Sequence, residues 1–599
     1  MCGITGYISL DKNILSEKEF AHFNHSLNHR GPDWRQQSLT KRGWIGHTKL
    51  SITDTSKSSN QPFSYKTEEG ILYRMVFNGE IYNFKQIREQ LKSLGHTFST
   101  QSDTEVVIKS FAEWGEKCQY KFNGIWAIAI YNESNGEVFL SRDRFGVKPL
   151  AIWIKRGAIF FASEIKSFRR LPPQYQLPAS DQVLLFLSKR PDNSSHLNKE
   201  LSHLPAGHSL RLKANNQVTF KQWWQPVMPT IKDKSYSELT EEFKYIFFDA
   251  LKLRTQDPSP KCTALSGGLD STSVFCATQQ LIFNHEIQAN YRHKAFSLDY
   301  SNTPNSESKF ALEVIKKTNS DHTLIRLSPD STAITPELIQ DCIYSSEQIN
   351  HLFLGPFLLY RAMSQEGYKV SVDGHGADEL LAGYKKFARA SIEDCIKQSS
   401  SDADMIEIKK LWINAGVSPN EIASIYNKLI SLDRENQSNA LQEKSFNEFH
   451  HATLPWILDT YDKIPMAHNI EVRSPFLDWR IVEYCLSLPN KAKAGGGFTK
   501  RILRDAMKNI IPDAIRTRYS KQGFAPPMQN YLKNKYIQDY ILDTVNSNLY
   551  LESEIFDGCK NRQTIEGLIK NKKPQTLANS NLWTTIQATI YLDTLKKST

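Results

Sequence analysis

A chain of 599 residues is too long for one hydrophobic core, and 40% hydrophobic with 23% charged residues is the make-up of an ordinary globular protein of several domains. The longest apolar run, Gly124 to Tyr131, falls far short of the ~20 residues a membrane span needs, and the start Met1-Cys2-Gly3-Ile4 has no basic or cleavable apolar leader, so a cytoplasmic protein without membrane contact is expected. The formal charge of +10 comes without a run of five basic residues or basic-aromatic interleaving, which argues against nucleic acid as a partner, and the eight cysteines form no Cys-x-x-Cys pair, which argues against a disulfide framework or a zinc knuckle.

In chain order, Ile71 to Phe77 predicts a strand and Phe84 to Leu94 an amphipathic helix with Ile87, Leu91 and Leu94 on one face and Gly95 at its end. Thr104 to Trp114 predicts a second helix, capped by Asp103. Short strands follow at Gly124–Tyr131, Glu137–Arg142, Leu150–Lys155 and Ala158–Ala162, separated by the turn signals Asn135-Gly136 and Arg156-Gly157. This α+β unit closes near Leu204 to His208, before a strand pair and a proline-bearing connector from Pro226 to Lys234. From Tyr236 onward helices dominate, with buried-looking strands at Cys262–Leu265, Ala295–Leu298 and Val370–Val372. Such alternation predicts a parallel sheet flanked by helices. The polar stretch from the Ser399–Ser401 cluster to Asn439 reads as a helical excursion. The expected domains are 2–210 and 236–599.

Ser266-Gly267-Gly268-Leu269-Asp270-Ser271 stands between a small apolar run and a helix-like segment from Thr272 to Leu281. Glycines at a strand end let the backbone approach an anion, and the N–H groups of a helix start point at it, so this is a candidate phosphate cradle. It is no Walker A loop, because no lysine follows at that motif's spacing. At the other end of the chain, removal of Met1 would put a thiol and a free α-amine on Cys2, and an amine with a reference pKa of ~8 can activate its own side chain.

The Ser266–Ser271 loop resembles the PP-loop of ATP pyrophosphatases, which split ATP into AMP and pyrophosphate while adenylating a carboxylate or carbonyl. Cys2, Arg30-Gly31-Pro32-Asp33, Leu50-Ser51-Ile52, Asn78-Gly79-Glu80-Ile81-Tyr82-Asn83, Ser102-Asp103-Thr104-Glu105 and Ser141-Arg142-Asp143-Arg144-Phe145-Gly146 arrive in the order and spacing of class II glutamine amidotransferases. With Glu347, Gly374-His375-Gly376-Ala377-Asp378-Glu379, Glu471 to Asp478, Thr499 to Arg504 and a terminal helix at Leu582–Leu595, nearly the whole chain is similar to the asparagine synthetase family.

That resemblance implies a four-layer α+β N-terminal-nucleophile hydrolase fold, followed by an α/β PP-loop synthetase domain with a parallel sheet and many helices. It implies Cys2 as nucleophile, the Asn78 amide and Gly79 N–H as oxyanion donors, and a glutamine pocket drawn from Lys49, Leu50, Ile52, Asn78, Glu80 and Asp103. Lys49 replaces the usual Arg, so a forked grip on the glutamine carboxylate becomes a point charge that Arg30 is expected to supplement. ATP would lie against Leu265, Ser266, Gly267, Gly268, Asp270, Ser271, Leu298, Asp373 and Gly374, with Mg²⁺ on Asp270 and Asp378. Lys500 and Lys521 would stabilise the departing pyrophosphate, and Glu347 would move a proton when ammonia attacks. His375 stands where the synthetase form commonly has Glu.

The implied partners are glutamine, ATP and a carboxylate, with a homodimer admitted. Aspartate is the default acceptor. Gln348 to Pro356, QINHLFLGP, is greasier than the polar segment expected for holding aspartate, which keeps a uronic-acid sugar or a secondary-metabolite precursor in view. An intramolecular cyclase would have little need for Cys2 with Asn78-Gly79-Glu80, a tRNA-modifying enzyme would carry cysteine pairs or an RNA-binding appendage, and a non-catalytic scaffold would need neither site.

Overall fold

A computed structural model describes residues 2–9, 14–187, 200–231, 233–288, 291, 293–300, 306–328, 334–349, 352–397, 401–430, 439–519 and 528–598. The first half contains strands β1 (Cys2–Ser9), β2 (Trp34–Thr40), β3 (Gly43–Lys49), β4 (Phe63–Lys66), β5 (Leu72–Ile81), β6 (Gly124–Asn132), β7 (Val138–Arg142), β8 (Ala151–Lys155), β9 (Ala158–Ala162), β10 (Leu201–His203), β11 (His208–Leu212) and β12 (Val218–Gln222). They form two antiparallel sheets, in the orders β10-β8-β9-β1-β3-β2 and β12-β11-β7-β6-β5-β4.

The period-2 alternation of a strand explains how these sheets stack. Val76, Ala127 and Ala129 meet Ile4, Ile8 and Ile45 in the core between the sheets, whereas their neighbours Met75, Phe77, Ile128 and Ile130 face outward. Helices Phe84–Ser93 and Asp103–Trp114 cover that outer face through Ile87, Leu91 and Val107. On the other sheet Tyr7, Trp44 and Phe160 pack against Phe20 and Phe23 of helix Glu17–His25. The result is the expected four layers, helix, sheet, sheet, helix.

Two details differ from the sequence reading. Strand β5 runs on to Ile81, because its pairing with β6 continues to Ile81 opposite Gly124, so Asn78, Gly79 and Glu80 lie within a strand. The helix after it is capped by Ser102, whose Oγ accepts the Thr104 N–H at 3.1 Å, and Asp103 becomes its first residue. The Asp103 carboxylate instead reaches back to accept the Ile81 N–H at 3.0 Å. Strand β11 pairs with β7 and β12 with β11, so the second sheet extends past residue 210.

The second half is built on β13 (Lys261–Ala264), β14 (Lys294–Asp299), β15 (His322–Arg326), β16 (Val370–Val372) and β17 (Glu471–Arg473), in the order β15-β14-β13-β16-β17, with every pair parallel. One face carries helices Tyr236–Thr255 and Leu269–Phe283, and the other carries Pro336–Ser346, Leu354–Gln365 and the terminal helix Asn581–Ser598. The helical excursion is present as Ala388–Lys397, Asp402–Asn414, Pro419–Ile430 and Ala440–His450, around their own apolar cluster; Ser399, Ser400 and residues 431–438 lie outside the described residues.

The halves meet through buried charge. Arg30 is fully buried; its Nη1 donates to Glu164 at 2.8 Å, its Nη2 to Asp462 at 2.7 Å and its Nε to the Cys2 carbonyl at 3.2 Å. Lys148 donates to the same Asp462 at 3.1 Å. Burial opposes ionisation of Asp462, but Arg30 and Lys148 hold its carboxyl below the ordinary carboxylate range. Removing one member leaves a buried charge without its counter-ion, which costs about 3–5 kcal/mol. Asp462→Ala is therefore expected to lower the thermal unfolding midpoint strongly, whereas Asp539→Ala, in an exposed pair with Lys535, is expected to leave it near the parent value; calorimetry on the two variants checks this.

Candidate active sites

The first site forms where β1, β3 and β5 come together. Cys2 opens β1 opposite Lys49 on β3, and its backbone N–H donates to Asn78 Oδ1 at 3.1 Å. This fixes the Asn78 amide beside the cysteine. The Asn78 side chain is completely buried, and among the described residues its Nδ2 has no hydrogen-bond partner. A buried amide donor left unmade costs roughly 1–3 kcal/mol, so its survival beside a thiol marks a group held ready for a ligand. Burial pushes the Cys2 thiol up, while a backbone N–H from Leu50 and the charge of Lys49 pull the other way.

Gly79 is forced by packing, since a Cβ there would collide with the Ile125 carbonyl and lie 2.8 Å from Trp126 Cα. Glu80 and Asp103 are both buried acids. Glu80 accepts from Thr53 Oγ1 at 3.1 Å, and burial first, then the negative charge of Asp103, raises its pKa well above the usual value. Burial pushes Asp103 up to about 6 against the hydrogen bond from Ile81. Two buried acids so close together suit a cationic ammonium between them.

Several expected members of this pocket do other work. The Lys49 ammonium donates to Ser56 O at 3.1 Å, Ser59 Oγ at 2.8 Å and Asn60 Oδ1 at 3.0 Å, so it braces the loop after β3. Arg30 cannot share a glutamine carboxylate, because Glu164, Asp462 and the Cys2 carbonyl already occupy its guanidinium. Leu50 packs with Ile52 against Met466 of the second half, a contact between halves.

The second site lies at the C-terminal ends of β13 and β16. Gly267 takes φ +76°, and a Cβ there would sit 2.7 Å from the Ala311 nitrogen. Ser266 and Ser271 clamp the loop through hydroxyls 3.0 Å apart, and Gly268 donates its N–H to Ser266 Oγ at 3.1 Å. Gly268 then caps helix Leu269–Phe283, whose free N-terminal N–H groups form an anion site. Gly374 packs on this helix start, since a Cβ there would stand 2.9 Å from Asp270 Cβ.

Lys500 joins the acids: its Nζ lies 2.6 and 2.7 Å from the two Asp270 oxygens and 2.5 Å from Asp378 Oδ1. Burial works against the Lys500 charge, but the two carboxylates raise its pKa above the ordinary lysine value. Its backbone sits in the left-handed region at φ +52°, which turns the side chain out of the preceding hairpin at the first turn of helix Arg501–Ala506. Among the described residues no group of three or more His, Cys, Asp or Glu converges as a closed cage. Two carboxylates are the donor set Mg²⁺ takes when phosphate oxygens and water complete its shell, so Asp270 and Asp378 fit that ion.

Three expected nucleotide contacts also have partners within the fold. Asp373 accepts from Ala264 N–H at 3.1 Å, Ser371 Oγ at 2.6 Å and Tyr360 Oη at 2.7 Å, which ties its carboxylate into the sheet. Leu298 is buried in the apolar cluster with Phe296 and Met363, and the Leu265 backbone is engaged by Phe296 O and Ser297 Oγ. His375 packs against Tyr461 with ring centroids 4.3 Å apart and the planes tilted by 49°, and burial lowers its pKa, which keeps the ring neutral. Lys521, Asn350 and His351 lie outside the described residues.

Glu347, fully buried and at φ +50°, accepts the Lys166 N–H at 2.6 Å through Oε1 and pairs with Lys463 at 2.8 Å through Oε2. Lys166 and Lys463 are residues the sequence reading missed. Lys463 carries one local signal, an i,i+4 partner in Asp459 at 2.9 Å; Lys166 is separated from Glu347 by 181 positions and carries none.

Residues 1–224 match the family described as a glutamine amidotransferase domain, and residues 242–593 match the family described as asparagine synthase. Asparagine synthetase [glutamine-hydrolyzing] 3 of Bacillus subtilis is 26% identical over 547 residues, covering 86% of each chain. Asparagine synthetase [glutamine-hydrolyzing] 1 of the same organism is 25% identical over 576 residues, covering 89% of this chain and 88% of its own. Amidase chry2 of Gibberella zeae is 25% identical over 612 residues, covering 88% and 89%.

The bracing role of Lys49 predicts that Lys49→Ala frees the loop after β3. Hydrogen exchange at the amides of Ser56 to Asn60 is expected to speed up by about tenfold or more, with little change at the helix Phe84–Ser93.

Proposed function

The chain belongs to the asparagine synthase family, with a glutamine amidotransferase domain ahead of the synthase domain, and we propose that this ATP-dependent, glutamine-hydrolysing ligase converts aspartate to asparagine. Glutamine and water give glutamate and ammonia in the first half, 2–210. ATP and aspartate give an acyl-adenylate and pyrophosphate in the second, 236–599, and ammonia then displaces AMP. The observation that carries the first half is the buried Asn78 Nδ2, a donor without a partner beside the Cys2 thiol.

In this reading the Cys2 thiolate attacks the glutamine amide carbon, and the tetrahedral oxygen accepts hydrogen bonds from Asn78 Nδ2 and the Gly79 N–H. Glu80 and Asp103 hold the glutamine ammonium. Collapse breaks the carbon–nitrogen bond and releases ammonia, and water then cleaves the thioester. In the second site the Ser266–Ser271 loop holds the phosphates while the acceptor carboxylate attacks the α-phosphorus. Held by Asp270 and Asp378, Mg²⁺ when bound offsets charge on the phosphate oxygens. Lys500 donates to the departing pyrophosphate, and Glu347 takes a proton as ammonia attacks the acyl carbon.

One observation favours a bulkier acceptor as a second reading. Gln348, directly after Glu347, is committed to Trp456 at 3.2 Å and Asp459 at 3.2 Å, and Phe353 packs on the same Trp456 with ring centroids 5.4 Å apart. An aromatic wall of this kind suits the flat face of a sugar carboxylate better than the short aspartate chain.

Incubation with ATP, Mg²⁺, glutamine and aspartate is expected to yield asparagine, AMP and pyrophosphate; glutamate release without asparagine would move the assignment to the bulkier acceptor, and ADP in place of AMP would overturn the adenylating step. Cys2→Ala is expected to reduce glutamate release by roughly 10⁴-fold or more, while free ammonia still supports AMP formation. Because Asp103 is pushed up to about 6, it gains a proton and loses its charge as pH falls through that value, so the KM for glutamine is expected to rise on acidification. Steady-state glutaminase assays from pH 8 to 5, at about unit steps, check the direction.

A further inference from the structure

The acid Glu80 does not stand only among residues of its own half. Arg473, at the end of β17 in the second half, is fully buried and points its guanidinium at the first site. Its Nε pairs with Glu471 Oε1, and its Nη1 donates to Arg254 O at 2.9 Å and to the Asp257 carboxylate. Among the described residues its Nη2 has no hydrogen-bond partner, and it lies 3.9 Å from Glu80 Oε2. The guanidinium also lies 5.8 Å from the ring centroid of Tyr82, two residues beyond Glu80, and Gln256 Nε2 donates to the Tyr82 carbonyl at 2.5 Å. The end of β5 is therefore gripped from the second half by a charge, a ring contact and a hydrogen bond.

We propose that Arg473 is a positioning residue of the glutamine site, supplied in the same chain by the synthase half, and that it orients Glu80 toward the glutamine ammonium. The proposal rests on the reading of Glu80 as a group that holds glutamine. Three observations support it. First, Nη2 is an unused donor in a place where every other arm of the guanidinium is fixed, and a small movement of the Glu80 carboxylate would close the gap. Second, among the influences on Glu80, burial and Asp103 oppose its ionisation and Arg473 favours it, so the arginine is the partial counterweight that works toward the charged form a cation would seek. Third, the arginine is rigidly held, since Glu471 and Asp257 fix it on two sides.

The same residue touches the frame of the nucleotide site through its backbone. The Asp373 N–H donates to Arg473 O at 2.9 Å, and the next residue, Ser474, donates its hydroxyl to His375 O at 2.7 Å. Asp373 to His375 is the segment whose Gly374 packs on the start of the Asp270 helix. Glutamine binding and the nucleotide crevice thus share one strand end.

The test measures glutamate release from glutamine by the full chain, together with ATP binding by calorimetry, for Arg473→Lys, Glu80→Gln and the double variant. A lysine keeps the buried charge but loses the fork. Arg473→Lys is expected to raise the KM for glutamine by about tenfold with kcat within about threefold, the pattern of lost ground-state positioning, and to leave ATP affinity within about twofold. The double variant is expected to show no further rise in KM beyond Glu80→Gln, since both changes act through one carboxylate. Additive effects in the double variant, or an unchanged KM in Arg473→Lys while Glu80→Gln raises it, would overturn the positioning role and leave the reading of Glu80 standing. An unchanged KM in Glu80→Gln would overturn both. If Arg473→Lys does not fold, Asp257→Asn loosens the same guanidinium from the other side; loss of ATP binding together with glutaminase activity in both variants would make Arg473 purely structural and overturn the proposal.

Discussion

Arg30 carries the constraint on which the rest of the structure depends. Its guanidinium is taken out of water altogether and satisfied by the Cys2 carbonyl, Glu164 of its own half and Asp462 of the other. From there opposite charges alternate: Lys148 on Asp462, Lys166 on Glu164 at 2.8 Å, and Glu347 between Lys166 and Lys463. Desolvating so many ions is tolerable only while each keeps its partner, so the network favours one relative placement of the halves over any loosened alternative. Stability is secondary here; registration is the main consequence. The same atoms that hold the halves together hold the carbonyl of Cys2 at one end and both oxygens of Glu347 at the other.

Both sites follow from a second constraint, close approach of main chain. Gly79 lets β5 and β6 come together with no room for a side chain, Gly267 takes a backbone conformation that other residues reach only with strain, and Gly374 lets the strand-end loop lie on the first turn of the helix beginning at Leu269. At the first site the buried Asn78 Nδ2 is left without a hydrogen-bond partner among the described residues. At the second site Asp270 and Asp378 share Lys500, and at the first the buried acids Glu80 and Asp103 crowd where a substrate cation would relieve them.

An α+β first half and the parallel sheet of the second were legible because alternation and short apolar runs are local patterns, while the four layers were implied by the family resemblance; the strands that were expected lie within a few residues of their places, and β1 to β4, β10, β15 and β17 were not anticipated. The exceptions have physical causes. The expected strand stopped at Phe77, yet pairing with β6 extends it through Asn78, Gly79 and Glu80. Asp103 looked like a cap, but Ser102 caps the helix and frees the Asp103 carboxylate for Ile81.

What the sequence determined by itself was the chemistry and its order: a cysteine at the second position, an amide and two acids to surround a substrate, a glycine loop before a helix, and two aspartates with a lysine. The glycine loop is carried by neighbouring residues and its spacing reveals it; the other roles are what the resemblance of the motifs to known families implies, since Asp270 and Lys500 stand 230 positions apart. What only the tertiary structure decided was which charged residues face a ligand and which hold the fold. Arg30, Lys49 and Asp373 were expected to face ligands, and the structure gives each of them partners within the fold. Arg30 and Asp462 are 432 positions apart and Glu347 and Lys166 are 181 apart, so no local pattern could pair them. A charge becomes a strut or a ligand according to what burial brings beside it, and that is settled only when the two halves close on each other.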